Sequence, residues 1–116
     1  NNAHFYIWHC DAVGVYSAVS SQGTSGQKWL RGVQPIVNGK VSFKTIIPGW
    51  YTGRILHYHI RIHLDSDSSN KYAMTSQVFI SNDFKTKVLD SQSLYTQSKQ
   101  TLINISQDNV YNSVSS

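Results

Sequence analysis

Much of what would place this chain quickly is missing from it. It has one cysteine and two prolines in 116 residues, so Cys10 cannot close a disulfide within this sequence. No stretch approaches the ~20 apolar residues that cross a bilayer, and no signal-peptide pattern of basic then apolar residues opens the chain. Acidic residues are scarce, six against ten Lys and Arg, for a net charge of +4. The basic residues are nevertheless dispersed. With no RNP-like motif, zinc knuckle or basic helix, nothing suggests nucleic-acid binding, and the mild positive charge favours anionic partners only weakly. Helical periodicity is also lacking, apart from one or two turns between Asp83 and Leu89.

What is present describes one globular domain over residues 1–116, with 40% hydrophobic residues and a surface rich in Ser, Thr, Asn and Gln. Short runs of period-2 alternation predict strands at 4–10, 28–37, 40–47, 55–64 and 72–81. A polar loop is expected at 11–27, a polar turn at 65–71, and an irregular tail from Ser91 that wraps the rest. Asn38-Gly39 suits a two-residue hairpin turn between 28–37 and 40–47, because both turn positions need positive φ. The pattern is all-β, a β-sandwich with long loops. His4, Tyr6 and Trp8 alternate with Phe5 and Ile7 from the outset, so the chain opens almost inside a strand, and a further N-terminal segment is expected upstream. Asn104-Ile105-Ser106 forms a glycosylation sequon, which matters only on secretion from a eukaryote.

The segment Pro48 to His59 concentrates the chemistry. On an extended chain His57 and His59 share one face, roughly 7 Å apart at Cα. Tyr51, after the Pro48-Gly49 turn, can add a phenolate from a neighbouring loop. Phenolate is a hard anionic ligand that favours Fe(III) over softer ions, and tyrosine ligation of iron is known from haem proteins. The alternation from His57 to Leu64 also suits an ordinary half-buried strand, with Tyr58, Ile60, Ile62 and Leu64 on the core side. Residues elsewhere must decide between the two.

Trp8-His9-Cys10-Asp11-Ala12, then Gly14-Val15-Tyr16-Ser17, then Leu30-Arg31-Gly32-Val33-Gln34, precede the Asn38-Gly39 turn. Val41 to Tyr51, Gly53-Arg54, His57-Tyr58-His59 and Thr75-Ser76-Gln77-Val78-Phe79 follow in order. This series, over residues 5–84 with a weaker echo from Asn104 to Tyr111, resembles the intradiol ring-cleavage dioxygenases, most closely their secreted single-domain branch in fungi and arthropods. Tyr58 departs from the pattern, which usually has an aliphatic residue between the histidines.

The resemblance implies a non-haem Fe(III) held by Tyr16, Tyr51, His57 and His59, with Arg54, Gln77 and Tyr51 acting in catalysis. Arg54 would face the substrate and stabilise charge on its ring. The implied reaction takes a catechol and O2 as small-molecule partners. It opens the ring between the two hydroxyl-bearing carbons to a cis,cis-muconate-type diacid, with Tyr51 leaving the iron to accept a proton. A secreted location is implied, with no membrane or nucleic-acid partner and a homo-oligomer left open. In that branch Cys10 usually pairs with an upstream cysteine; the alternative is a buried free thiol. Two other functions stay open: a non-catalytic β-sandwich of the same ancestry used for binding or assembly, and a zinc or copper binder using the histidines alone. His4, His9 and His63 are assigned to structure, and Trp8, Trp50 and Tyr58 to packing.

Overall fold

The computed structural model describes residues 2–66, 72–91, 95 and 101–115. Strands β1 (Ala3–Trp8), β2 (Arg31–Pro35), β3 (His57–Leu64) and β4 (Met74–Phe79) form one antiparallel sheet in the order β2-β1-β3-β4. β1 and β3 are rich in aromatic and β-branched residues that suit a pleated, half-buried surface, whereas β2 is a mostly exposed edge strand. In register, Trp8 lies opposite Arg31 on one side and His59 on the other, while His59 in turn faces Gln77. Alternation therefore puts His4, Tyr6, Trp8, His57, His59, Arg61, His63 and Gln77 on one face, and Phe5, Ile7, Tyr58, Ile60 and Ile62 on the other.

Two expectations change. Residues 41–50 carry no strand, and the hairpin survives only as the turn Val37 to Lys40, with Asn38 and Gly39 both at positive φ. The alternation over 41–45 has a different cause. Val41 and Phe43 are half-buried while Ser42 and Lys44 are exposed, and Phe43 packs across the sheet's apolar face, with its ring 5.9 Å from that of Phe5. Gly32 on β2 leaves room for that ring; a Cβ there would come within 3.2 Å of it. Period 2 thus records a chain laid over a sheet rather than a strand within one. The second change is in the tail. After α1 (Asn82–Ser91), which extends the helical turns expected from Asp83, a 3-10 turn at Ile105–Gln107 leads into α2 (Asn109–Ser115). Asp108 starts α2 by accepting the Val110 and Tyr111 N–H groups on Oδ1, at 2.9 and 3.0 Å. Residues 67–71 of the expected polar turn lie outside the described residues.

The core sits at the end of the sheet from which β3 emerges. Ala12, Trp50, Ile55, Leu56 and Tyr95 are buried together, with Ile47, Phe79, Ile80, Leu102 and Ile105 packed against them. Two loops meet there, backbone to backbone. The Asp11 carbonyl accepts the N–H of Gly14 at 3.2 Å and of Gly49 at 2.9 Å, and the Asp11 carboxylate accepts the N–H groups of Val13 and Val15. Gly14 has φ +88°, and a Cβ on it would overlap the Trp50 carbonyl; one on Gly49 would overlap the Ala12 carbonyl. Only glycine fits either place. Cys10 lies beneath this contact, 1% exposed, with its thiol donating to the Gly49 carbonyl at 3.6 Å. Burial pushes that thiol's pKa up to about 12, with the Asp11 charge adding to the effect. Among the described residues, no helix is long and apolar enough to cross a membrane.

Gly14→Ala and Gly23→Ala separate backbone strain from overlap, because both glycines have positive φ but Gly23 has open space around it. Gly23→Ala should cost ~1 kcal/mol from strain alone. Gly14→Ala should cost about 3 kcal/mol or more as the two loops are forced apart. Urea unfolding midpoints check this, and equal losses would contradict the close loop contact.

Candidate metal centre

The loop contact delivers Tyr16 to Tyr51. Tyr16 lies beyond the Asp11–Val15 turn, with its N–H donating to Gln22 and its carbonyl accepting the Thr24 hydroxyl. Ser17 beside it is clamped by Arg31, whose Nε donates to Ser17 Oγ at 2.9 Å and whose Nη2 donates to the Ser17 carbonyl at 2.8 Å. Tyr51 opens a tight turn closed by the Arg54 N–H on the Tyr51 carbonyl, at 3.0 Å, with Gly53 at φ +89°. His57 and His59 project from β3 on the face that the two tyrosines cover.

Four polar atoms converge. Tyr16 Oη lies 3.0 Å from Tyr51 Oη, 3.2 Å from His57 Nε2 and 3.0 Å from His59 Nε2. Tyr51 Oη is 3.1 Å from His57 Nε2, and the two imidazole Nε2 atoms are 3.2 Å apart. The remaining pair, Tyr51 and His59, makes no such contact. Two donors each about 2.0–2.1 Å from a common ion, at angles between a right angle and tetrahedral, stand about 2.9–3.4 Å apart. These spacings match that range.

Hydrogen accounting makes the same point. The Nδ1–H of His57 is given to the Ile55 carbonyl at 2.6 Å, so its Nε2 presents a lone pair. Each tyrosine hydroxyl has one hydrogen to give, and His59 Nε2 has at most one. That supplies at most three hydrogens for the five contacts just described. Lone pairs converging in excess of protons fit a cation. Among the described residues no group of three or more His, Cys, Asp or Glu side chains could share an ion, so an ion here must draw on tyrosine oxygen.

The electrostatics suit ligation by neutral imidazole. Burial lowers the His57 pKa to about 4, outweighing the hydrogen bond to Ile55. Burial likewise takes His59 down to about 4, with the charges of His57 and Arg54 adding to it. Tyr16 moves upward, first because it is buried and then because of Tyr51 beside it. It is a phenol until a cation is present, and a bound cation inverts that preference. His59 is further fixed by Trp8, whose ring stacks on it at 5.0 Å and 8°.

Arg54 and Gln77 stand beside the cluster. Arg54 Nη2 donates to Gln77 Oε1, and Arg54 Nε donates to Asp108 Oδ2 at 2.9 Å. Asp108 was not foreseen from the sequence. It is fully buried, and it also accepts the Ile55 N–H at 2.8 Å. Burial alone would raise its pKa, but the N–H groups of Tyr111 and Ile55 and the Arg54 guanidinium together hold it below the usual carboxylate range. Its one sequence signal is an aspartate at the start of a helix.

The residues assigned to structure lie outside the cluster. The buried His9 ring bonds to the Cys10 carbonyl and Thr45 hydroxyl, His4 pairs with Asp65 at 2.6 Å, and the His63 ring packs on Tyr72. Trp50 is buried in the core, and Tyr58 lies on the opposite face with its ring against His9.

The fold superimposes on an intradiol ring-cleavage dioxygenase from Tetranychus urticae with a TM-score of 0.82 and 30% sequence identity, covering 96% of this chain and 58% of that one. A second crystal structure, of a dioxygenase, matches with the same score and identity, covering 97% of this chain and 58% of that one. The chain thus spans less than two thirds of the length of the structures it resembles. No protein-family model matches the sequence, and no curated protein does. The sheet, its covering loops and this likeness define an all-β fold of the dioxygenase sandwich type. Over nearly its whole length the chain is similar in fold and sequence to these intradiol ring-cleavage dioxygenases.

Buried His57 and half-buried His59, both with depressed pKa values, set a pH dependence. In the unfolded chain they take up protons near the ordinary value of 6.5, whereas in the folded metal-free protein they resist protonation down to about 4. Between these limits the unfolded state binds more protons, so stability falls as pH drops through that window. Unfolding free energies of metal-stripped protein at pH 7, 5.5 and 4.5 should decline in that order, and His57→Gln should flatten the decline. A pH-independent value would contradict the burial of neutral imidazoles.

Proposed function

We propose that this chain is the catalytic core of a non-haem Fe(III) dioxygenase. It would open a catechol-type ring between its two hydroxyl-bearing carbons, with O2, to a cis,cis-muconate-type diacid. The observation that carries the proposal is the converging cluster of Tyr16, Tyr51, His57 and His59, whose lone pairs outnumber its hydrogens, in a chain whose fold is similar to intradiol ring-cleavage dioxygenases. In this reading those four residues hold the iron. Bound there, ferric iron supplies a Lewis acid and a template for two adjacent phenolic oxygens.

The chain's own groups do the remaining work. His57 is kept in one tautomer by the Ile55 carbonyl, and the Trp8 stack holds the His59 ring in plane. Such partners orient ligands and tune them. Tyr51 accepts the proton from a catechol hydroxyl: the catechol O–H bond breaks and a Tyr51 O–H bond forms. A phenolate in a half-buried site, with little water to stabilise its charge, would be a base for that proton. Arg54 stabilises the negative charge that develops on the ring. Asp108 and Gln77 hold its guanidinium in place beforehand, so little reorganisation is needed as that charge appears.

Oxygen uptake and product mass across a panel of catechols test the proposal. Iron-loaded protein should consume O2 and give a product heavier than its substrate by two oxygen atoms. No uptake with any catechol would overturn it. Arg54→Ala should keep its iron yet lose turnover on the order of a hundredfold, equivalent to ~3 kcal/mol of transition-state stabilisation; unchanged kinetics would make Arg54 an ordinary cation. Tyr51→Phe should still bind iron, more weakly, while catechol binding slows and turnover falls sharply. Native turnover in Tyr51→Phe would exclude the proton-accepting role.

A further inference from the structure

The metal cluster occupies one end of the polar sheet face. Further along the same face, Tyr6 and Trp8 of β1, Arg31 of β2 and Arg61 of β3 combine with Lys28 and Tyr72 to line a cavity of about 550 Å³. That volume is in the range of small-molecule sites. Three of its walls are cationic, Lys28, Arg31 and Arg61, and among the described residues no carboxylate lines it.

The two arginines are in different states. Arg31 has already committed two of its nitrogens to Ser17. Arg61 has not. Its guanidinium carbon lies 4.9 Å from the Trp8 ring centre and 4.7 Å from that of Tyr72, and its Nε is buried with no hydrogen-bond partner. Aromatic faces attract a cation, but they offer no acceptor for its N–H groups. A buried donor without an acceptor is costly, and like charges brought to one cavity without a counter-ion repel. An anion with oxygen acceptors would offset both costs.

The walls narrow the choice. A guanidinium presents a planar fork that matches a carboxylate in two parallel hydrogen bonds. Tyr6, Trp8 and Tyr72 offer ring surfaces that favour an offset or edge-on aromatic partner. We propose that this cavity binds an aromatic carboxylate, with the carboxylate on the guanidinium of Arg61 and near Lys28, and the ring among Tyr6, Trp8 and Tyr72. This site is separate from the dioxygenase chemistry proposed above and stands or falls independently of it. Trp8 is common to both, since its ring is also the stacking partner of His59.

Calorimetric titration of the full chain with benzoate tests the site, with benzyl alcohol and acetate as probes that lack the charge or the ring. Benzoate should bind once per chain, and each control probe at least tenfold more weakly. Arg61→Gln should weaken benzoate binding at least tenfold, and Lys28→Gln, on an exposed loop, about threefold. A crystal soaked with benzoate should show it against Arg61 and Trp8. No measurable binding, equal binding of benzyl alcohol, or benzoate located at Tyr51 instead would each overturn the proposal. Should Arg61→Gln fail to fold, unchanged affinity in Lys28→Gln together with an empty cavity in the crystal would have the same force.

Discussion

The site depends on a place where two stretches of backbone touch. Residues 11–14 and 48–51 meet with no side chain between them, joined by the Asp11 carbonyl and the Gly49 N–H. A Cβ on either Gly14 or Gly49 would collide with the carbonyl facing it. Packing this close positions Tyr16 and Tyr51 to within a hydrogen-bond length of each other, although they are 35 residues apart in sequence. A side chain at either glycine would separate the loops by about its own thickness, and the four-atom cluster would open. Loops are ordinarily the mobile part of a fold. Here the Asp11 turn, the Ser17–Arg31 clamp and the backbone contact brace one, as a site that brings several donors to one point requires.

A second constraint governs charge. The cluster lies next to a cation, Arg54, which would be expensive to bury alone. Asp108 balances it, and three backbone N–H groups keep that carboxylate ionised. The same aspartate starts α2, so the helix at the end of the described chain and the arginine beside the site are held by one residue. Gln77 completes the frame from β4, where register places it opposite His59. Neutral imidazoles, the Tyr16 phenol and a paired guanidinium then coexist in a small volume. Only an incoming cation upsets that balance, and it does so in the direction that ionises the tyrosines.

Some of this was legible from the residues alone. Alternation from His57 to Leu64 requires the histidines to share a face, and the structure has them there with Nε2 atoms 3.2 Å apart. The strands at 4–10 and 72–81 were readable within a few residues of their ends, and Asn38-Gly39 does make its turn. The segment at 41–47 misled, because a chain draped over a sheet alternates as a strand does while making no ladder; period 2 reports burial, not pairing. No local pattern brings Tyr16 to Tyr51, since their contact depends on what a missing Cβ permits at two other positions. That pairing came only from the order of motifs along the chain. Asp108 was invisible for a related reason: it lies 54 residues from Arg54, in a polar tail whose helix has seven residues.

The central claim is that two tyrosine oxygens and two imidazoles share one ferric ion. The visible absorption spectrum of protein loaded with one iron per chain tests it most directly, because a phenolate bound to Fe(III) gives a charge-transfer band that imidazole and water ligands do not. The account predicts a burgundy protein whose band weakens in Tyr16→Phe and in Tyr51→Phe. A colourless iron-loaded protein, or a band that neither substitution alters, would contradict it.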